Sequence, residues 1–326
     1  MELILQPVNQ GIPVIEHSIL STSVPFIESN TAESTLFDIR HKHIIPVYTK
    51  DNERLISMAE FIEVYTDVLK DVFAGEIILP PAIRVSHPIK GRIPAAKDKS
   101  ADQLLEHEKT LYYERAAFVI EIPSVQTVID GNTLTLTAGG VKSYHLDKMQ
   151  SKKGSDEYFS FFIGFQNKVC TNLCIWTDGY SQRVGVKSKE QLRLSMYQLL
   201  ESYNRSHHLH HLRRLEELFL TEHQFAQLIG RCRMYPNLPT ALKSTIPVLL
   251  MGDSQINQIV RDYYKDESFC KDEQGNINLW RLYNLFTGSN KSSYIDSYAE
   301  RAVNVYHFVE NIRWALEGHA QNWFLN

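Results

Sequence analysis

Cysteine is scarce in this sequence. Four residues in 326, at positions 170, 174, 232 and 270 with no Cys-x-x-Cys pair, argue for reduced, buried thiols and against a disulfide framework or a four-thiolate zinc site. Long apolar runs are missing as well. No stretch reaches the roughly 18 residues that span a bilayer, and Met1-Glu2-Leu3-Ile4-Leu5-Gln6 has neither the basic nor the apolar part of a signal peptide. A cytoplasmic protein without a membrane partner is expected. There is no nucleophile elbow and no dinucleotide fingerprint. Gly288-Ser289-Asn290-Lys291-Ser292-Ser293 lacks the phosphate-loop spacing and follows a helical pattern instead of a strand. Nothing specifies an enzyme: no catalytic residue, metal ligand set or cofactor is assigned. Internal repeats and low-complexity segments are also absent.

What is present suffices for an ordinary globular core, with 43% hydrophobic and 22% charged residues. The formal charge is -4, but it is unevenly spread: residues 142–214 hold 12 Lys and Arg against 6 Asp and Glu. A regional excess of positive charge points to an anionic partner or to a solvated face.

Residues 1–40 carry Pro7, Pro13 and Pro25 without sustained periodicity, predicting an extended or mobile arm. Residues 43–49 read as a strand, closed by the turn-like Lys50-Asp51-Asn52-Glu53. Ser57-x-x-Glu60 is a capping box for a helix with Phe61, Tyr65, Val68 and Val72 on one face and Gly75 at its end. Pro80, Pro81, Pro88 and Pro94 make the next stretch extended. Ser100-x-x-Gln103 predicts a short helix to about residue 109. Strands follow over 116–122, 125–129 and 132–137, the last two joined by the hairpin dipeptide Asp130-Gly131. Further strands are expected over 141–145, 157–166 and 183–187, with 169–177 either a strand or a helical turn. Beyond Glu190 the period becomes helical, with a break near 204–208. Thr221, Asp253, a helix over 277–287 ended by Gly288, and one over 294–316 ended by Gly318 complete the pattern. The chain therefore predicts an α+β fold: a central, mainly antiparallel sheet with flanking helices and a helical C-terminal region. Three segments follow: the arm (1–40), an α+β sheet region (41–188) and a helical region (189–326) packed on the same core.

His207-His208-Leu209-His210-His211 would set His207 and His211 on one helix face, where two imidazoles could meet a metal. No third ligand accompanies them, so a polar, partly protonated face is expected. Between residues 142 and 193, Lys142, Lys148, Lys152, Lys153, Lys168, Arg183, Lys187, Lys189 and Arg193 interleave with Tyr144, Tyr158, Phe159, Phe161, Phe162, Phe165, Trp176 and Tyr180. Cations that track phosphates and aromatic faces that stack bases are what single-stranded nucleic acid requires. The candidate nucleic-acid contacts are Lys142, Lys148, Lys152, Lys153, Lys168, Trp176, Arg183 and Lys187. Asn167, Asn172 and Trp176 are expected to surround one locus with Lys168, because amides among aromatics must be satisfied locally.

The run Gly164-Phe165-Gln166-Asn167-Lys168-Val169-Cys170-Thr171-Asn172-Leu173-Cys174-Ile175-Trp176-Thr177-Asp178-Gly179 is the most distinctive in the chain. With His87-Pro88-Ile89-Lys90-Gly91-Arg92, Gly139-Gly140-Val141-Lys142-Ser143-Tyr144 and Leu279-Trp280-Arg281-Leu282-Tyr283-Asn284, it resembles a family of phages and mobile elements of Bacteroidetes, domain of unknown function 3871. The resemblance runs from about residue 40 to the end. Val169-Cys170-Thr171-Asn172 and Leu282-Tyr283-Asn284 are more distantly similar to a broader phage and plasmid family, domain of unknown function 932. The signature residues it implies are Asn167, Cys170, Asn172, Asp178, Tyr283 and Asn284. Together these features predict a non-enzymatic protein that binds or anneals single-stranded DNA in replication or recombination, with oligomerisation compatible. The alternatives are a host-interference or accessory factor that binds a host or mobile-element protein, and a metal-dependent hydrolase using the His cluster.

Overall fold

The computed structural model describes residues 25–42, 56–86, 89–92, 94–96, 98–100, 103–112, 115–144 and 156–326. In chain order these form β1 (Thr31–Ser34), α1 (Leu36–Lys42), α2 (Met58–Val72), β2 (Ala82–Ser86), β3 (Ile89–Arg92), β4 (Lys109–Tyr112), β5 (Arg115–Ile129), β6 (Asn132–Ser143), β7 (Glu157–Asn167), β8 (Leu173–Cys174) and β9 (Tyr180–Val186). They continue with α3 (Lys189–Ser202), α4 (Arg205–Arg214), β10 (Phe219–Leu220), α5 (Glu222–Met234), α6 (Thr240–Lys243), α7 (Asp253–Lys265), β11 (Ile277–Asn278), α8 (Leu279–Asn290) and α9 (Ile295–Leu316). The fold is α+β, as the sequence predicts.

The sheet grows from the β5–β6 hairpin. Asp130 and Gly131 both take positive φ, 45° and 72°, which matches the right-handed twist of the two strands they join. Seven antiparallel strands lie in the order β1-β2-β5-β6-β7-β8, and β9 pairs with the other end of the β7 edge. The strands expected over 116–122 and 125–129 are one strand, bulged between Ile122 and Gln126 where Pro123 cannot donate to the ladder.

Alternation gives the sheet two buried faces. Ile83, Phe118, Ile120, Leu136, Phe159 and Phe161 turn toward α2, where Phe61 meets Phe118 and Phe159 edge-on at 5.1 and 4.9 Å. Gly140 leaves the room for this: a Cβ there would lie 2.4 Å from the Phe61 ring. Ala117, Val119, Val141 and Phe162 turn the other way, against Tyr298, Ala299 and Ala302 of α9. Leu212, Leu228, Ile259, Tyr283 and Val309 of the helical region join the same cluster as the α2-facing strands. Residues 189–326 and the sheet thus share one core. No helix among the described residues is long and apolar enough to cross a membrane.

Local signals mark most helix starts. Ser57 and Thr221 form capping boxes with Glu60 and Gln224, and Asn204 caps α4 by accepting from the His207 N–H. Several expectations need correction. The described part of the segment 1–40 is docked, with Phe26 and Ile27 buried and β1 on the sheet edge. The helix expected from Ser100 gives way to a 3-10 turn at Glu106–Glu108 and to β4, which pairs with β3. Residues 169–177 contain only the two-residue β8 before the 3-10 turn Thr177–Gly179. Asp253 lies inside the first turn of α7, with Gly252 at the cap. Gly288 lies within α8, which runs on to Asn290. Residues 43–53 lie outside the described residues.

Candidate functional site

Residues 166–172 form a tight loop at the end of β7, and their amides explain its shape. The Asn167 carbonyl accepts the Thr171 N–H at 2.9 Å, and its Oδ1 accepts the N–H groups of Val169 and Cys170 at 2.9 and 3.4 Å. Its Nδ2 donates to Asn132 Oδ1 at 3.2 Å. Asn167 therefore builds the turn, a common use of a short amide. Asn172 reaches across to α8, donating from Nδ2 to the carbonyl and Oδ1 of Asn284 at 3.0 and 3.3 Å, while Asn284 donates to the Trp280 carbonyl. Lys291, at the end of α8, donates to the Cys170 carbonyl, and its own carbonyl accepts the N–H of Glu28 at 2.9 Å. Thr171 holds φ +56°, unusual for a β-branched residue, and its hydroxyl contacts the Pro25 carbonyl at 3.3 Å. The signature residues Asn167, Cys170, Asn172 and Asn284 are thus brought together, with the bonded pair Asn172 and Asn284 112 positions apart. Tyr283 is buried beside Cys174, whose thiol burial pushes well up.

The loop walls a cavity of about 500 Å³ on the α9 side of the sheet, beyond the part that α9 covers. Gln166, Lys168 and Thr171 come from the loop and the end of β7, Thr135 from β6, Glu121 from β5 and Arg84 from β2. Phe26, Pro80 and Val119 supply apolar surface. Lys168 Nζ lies 2.5 Å from Glu121 Oε1. Arg84 is oriented by Thr31, donating from Nε to the hydroxyl at 3.0 Å and from Nη2 to the carbonyl at 2.9 Å. Glu33 stands opposite Arg84 in the strand register.

Among the described residues, the cations expected to contact nucleic acid do not form one patch. Lys142 is buried, 1% exposed, with Nζ 3.2 Å from Glu157 Oε2 and 3.9 Å from the centre of the Phe159 ring. Glu157 also accepts the Ile56 N–H at 2.9 Å, next to the start of α2. Lys142 lies at an inward position of β6, in line with Ala138 and Gly140, and cannot reach a phosphate. Lys148, Lys152 and Lys153 lie outside the described residues. Lys168 reaches the cavity, whereas Arg183 on β9 and Lys187 just after it are exposed toward the start of β7, about 25 and 40 Å away along the strand at its rise per residue. Lys187, Lys189 and Arg193 face Asp156, Glu60 and Asp67 at 3.8, 3.1 and 3.7 Å.

Trp176 is not at the loop either. It is half-buried against His207, His211 and Tyr306, with ring centres 4.7, 5.0 and 5.9 Å away. The His cluster on α4 is accordingly mixed. His207 and His210 are exposed, but His208 is fully buried with Nδ1 2.8 Å from the Tyr203 hydroxyl. Burial pushes its pKa down to about 3, so it is a neutral core side chain. His211 lies 3.0 Å from His207 between ring Nε2 atoms and 3.3 Å from Glu310. Burial also lowers its pKa, against the pull of Glu310. Asp178 accepts the Asn204 N–H at 3.0 Å and so fixes the break between α3 and α4. Among the described residues no group of three or more His, Cys, Asp or Glu side chains converges as metal ligands would.

The look-alike of a phosphate loop has its own explanation. Ser289 Oγ donates to the Gln255 carbonyl, Gln255 Nε2 to Ser293 Oγ, and Arg301 to both Gln255 Oε1 and Ser293 Oγ, all between 2.9 and 3.1 Å. This is a satisfied polar seam between α7, α8 and α9.

Arg84, Glu121 and Thr135 escape sequence reading because three separate strands supply them. One signal was available: Glu121, Thr135, Thr137 and Gln166 are polar at positions whose neighbours on that face are apolar, which marks uncovered sheet.

No curated protein and no solved structure matches the chain. The family described as "Domain of unknown function, B. Theta Gene description (DUF3871)" matches residues 9–325, well before the residue-40 limit of the resemblance noted above, and the chain belongs to that family.

Proposed function

We propose that this protein is a non-enzymatic binding protein for single-stranded nucleic acid, acting in replication or recombination. The observation that carries the reading is the cavity on the sheet face, walled by the signature loop and holding Lys168 and Arg84 beside amide and hydroxyl groups. A concave site with a few convergent polar groups on apolar surface is where a ligand is expected. Strand annealing by an oligomer, a phage or mobile-element setting, the distant relation to the broader phage and plasmid family and a cytoplasmic location belong to the same reading.

Binding is tested by fluorescence anisotropy with single-stranded and duplex DNA, and with RNA, at two salt concentrations. Single strands should bind at about 50 mM salt and weaken as salt rises, since each phosphate contact contributes a slope of about -0.7. Absence of binding at the lower salt would overturn the proposal.

A second reading, a protein partner of the host-interference or accessory kind, draws on the carboxylates that face Lys187, Lys189 and Arg193. Those neighbours reduce the attraction for phosphate, and the second reading takes over if no nucleic acid binds. The hydrolase alternative would need ligands beyond His207 and His211.

A further inference from the structure

We infer that the cavity receives one unstacked base of the strand, adenine by preference, while the phosphates stay outside; this rests on the single-strand reading and specifies what its site takes. Charge supports the division. Arg84 and Lys168 are balanced by Glu33 and Glu121 around the same space, and Glu121, less than a quarter exposed, would repel a phosphate pushed against it. An uncharged heterocycle meets no such opposition.

The polar groups match a base edge. Gln166 and Thr135 are direct cross-strand neighbours, so their side chains stand about 5 Å apart on one face. Gln166 donates one N–H to the Thr171 carbonyl at 3.2 Å. Its other N–H and its Oε1 have no partner among the described residues. A carboxamide that offers a donor and an acceptor side by side pairs with the adenine N7 and N6 amino group. The Thr135 hydroxyl beside it can give or accept a further bond. Phe26, Pro80 and Val119 offer apolar surface to the faces of the ring. At about 500 Å³ the space falls in the usual range for small-ligand sites, enough for a base with its sugar. Lys168, 40% exposed, stands where the backbone would leave.

The experiment compares dA, dC and dT 12-mers by anisotropy, and adenosine against cytidine by ligand-observed NMR, using the full chain. Wild type should prefer dA12 and show saturation transfer to adenosine. Gln166→Leu should abolish the preference, a change of roughly ten-fold or more. Ala82→Trp, at an exposed position on the rim of the cavity, should weaken all three oligonucleotides. Equal binding of the three, unchanged by Ala82→Trp, with no transfer to adenosine, would overturn the inference and leave single-strand binding standing. Loss of all oligonucleotide binding in wild type would remove both. The adenosine measurement needs no variant and decides the matter if Gln166→Leu does not fold.

Discussion

The two ends of β7 carry the same pair of residue types in opposite settings. At one end Lys142 and Glu157 are sealed inside, the carboxylate shared with the Ile56 N–H and the ammonium over Phe159. At the other, Lys168 and Glu121 sit half-exposed at the edge of a cavity. A buried ion pair is held because either charge left alone would be costly, whereas an exposed pair can exchange partners at little expense. Sequence alone gives both lysines the same task, and the fold reserves one for architecture and leaves the other at the wall of a cavity.

The sharpest way to break this comparison is to remove the ammonium at each end. Lys142→Met takes the ammonium away from the buried Glu157 carboxylate and should cost about 3–5 kcal/mol in urea unfolding, while Lys168→Gln should cost about 0–1 kcal/mol. Similar losses would mean that the two ends are not distinct. Adding Glu157→Leu to Lys142→Met should restore part of the stability, because the buried carboxylate is gone while the Ile56 N–H loses its acceptor.

Acid provides the next test, through the buried imidazole of α4. The unfolded chain takes up a proton near the ordinary histidine value of about 6.5, while folded His208 resists until about pH 3. Its contribution to stability is therefore complete above about 6.5 and lost as pH falls toward 3, at no more than about 1.4 kcal/mol per pH unit. The groups around it are His211, Tyr203, Trp176, Phe165 and Tyr306. Unfolding of wild type and His208→Phe at pH 7 and pH 5 should show a shallower pH dependence in the variant, and parallel curves would refute the burial argument.

At the sealed end, Gly140→Ala should cost about 1–3 kcal/mol by crowding Phe61. A neutral result in thermal melts would mean that α2 is free to shift. The smallest effect belongs to the open end. Lys168→Gln should reduce the salt slope of single-strand binding by about 0.7, and Lys142 should contribute nothing to that slope. The control is the Lys142→Met/Glu157→Leu double variant.

Local chemistry was legible wherever it acts over a few residues. The Asp130-Gly131 hairpin, both capping boxes and the break at Asn204 are set by φ preference and by side chains that bond their own backbone. Gly288 failed as a helix end because nothing nearby in sequence reveals that Asn172 and Gln255 approach α8 from distant segments. Residues 169–177 failed for the same reason: their shape is set by bonds to Pro25, Asn284 and Lys291. Lys142 was half-legible, since alternation from Ala138 and Gly140 already points it inward. Its Glu157 partner, supplied by the next strand, is what alternation does not reveal. Of the site, Lys168 and the loop were readable, but the opposite wall belongs to strands joined by register.

The knot of contacts among Pro25, Glu28, Cys170, Thr171 and Lys291 also sets a timetable. A ribosome releases the chain from its N-terminus, so β7 and its loop emerge more than a hundred residues before α8 arrives to brace them. Pairings this distant in sequence form slowly. A nascent or truncated chain that stops short of Asn284 has the loop residues but no brace for Asn172, so the loop is completed only once α8 has been synthesised.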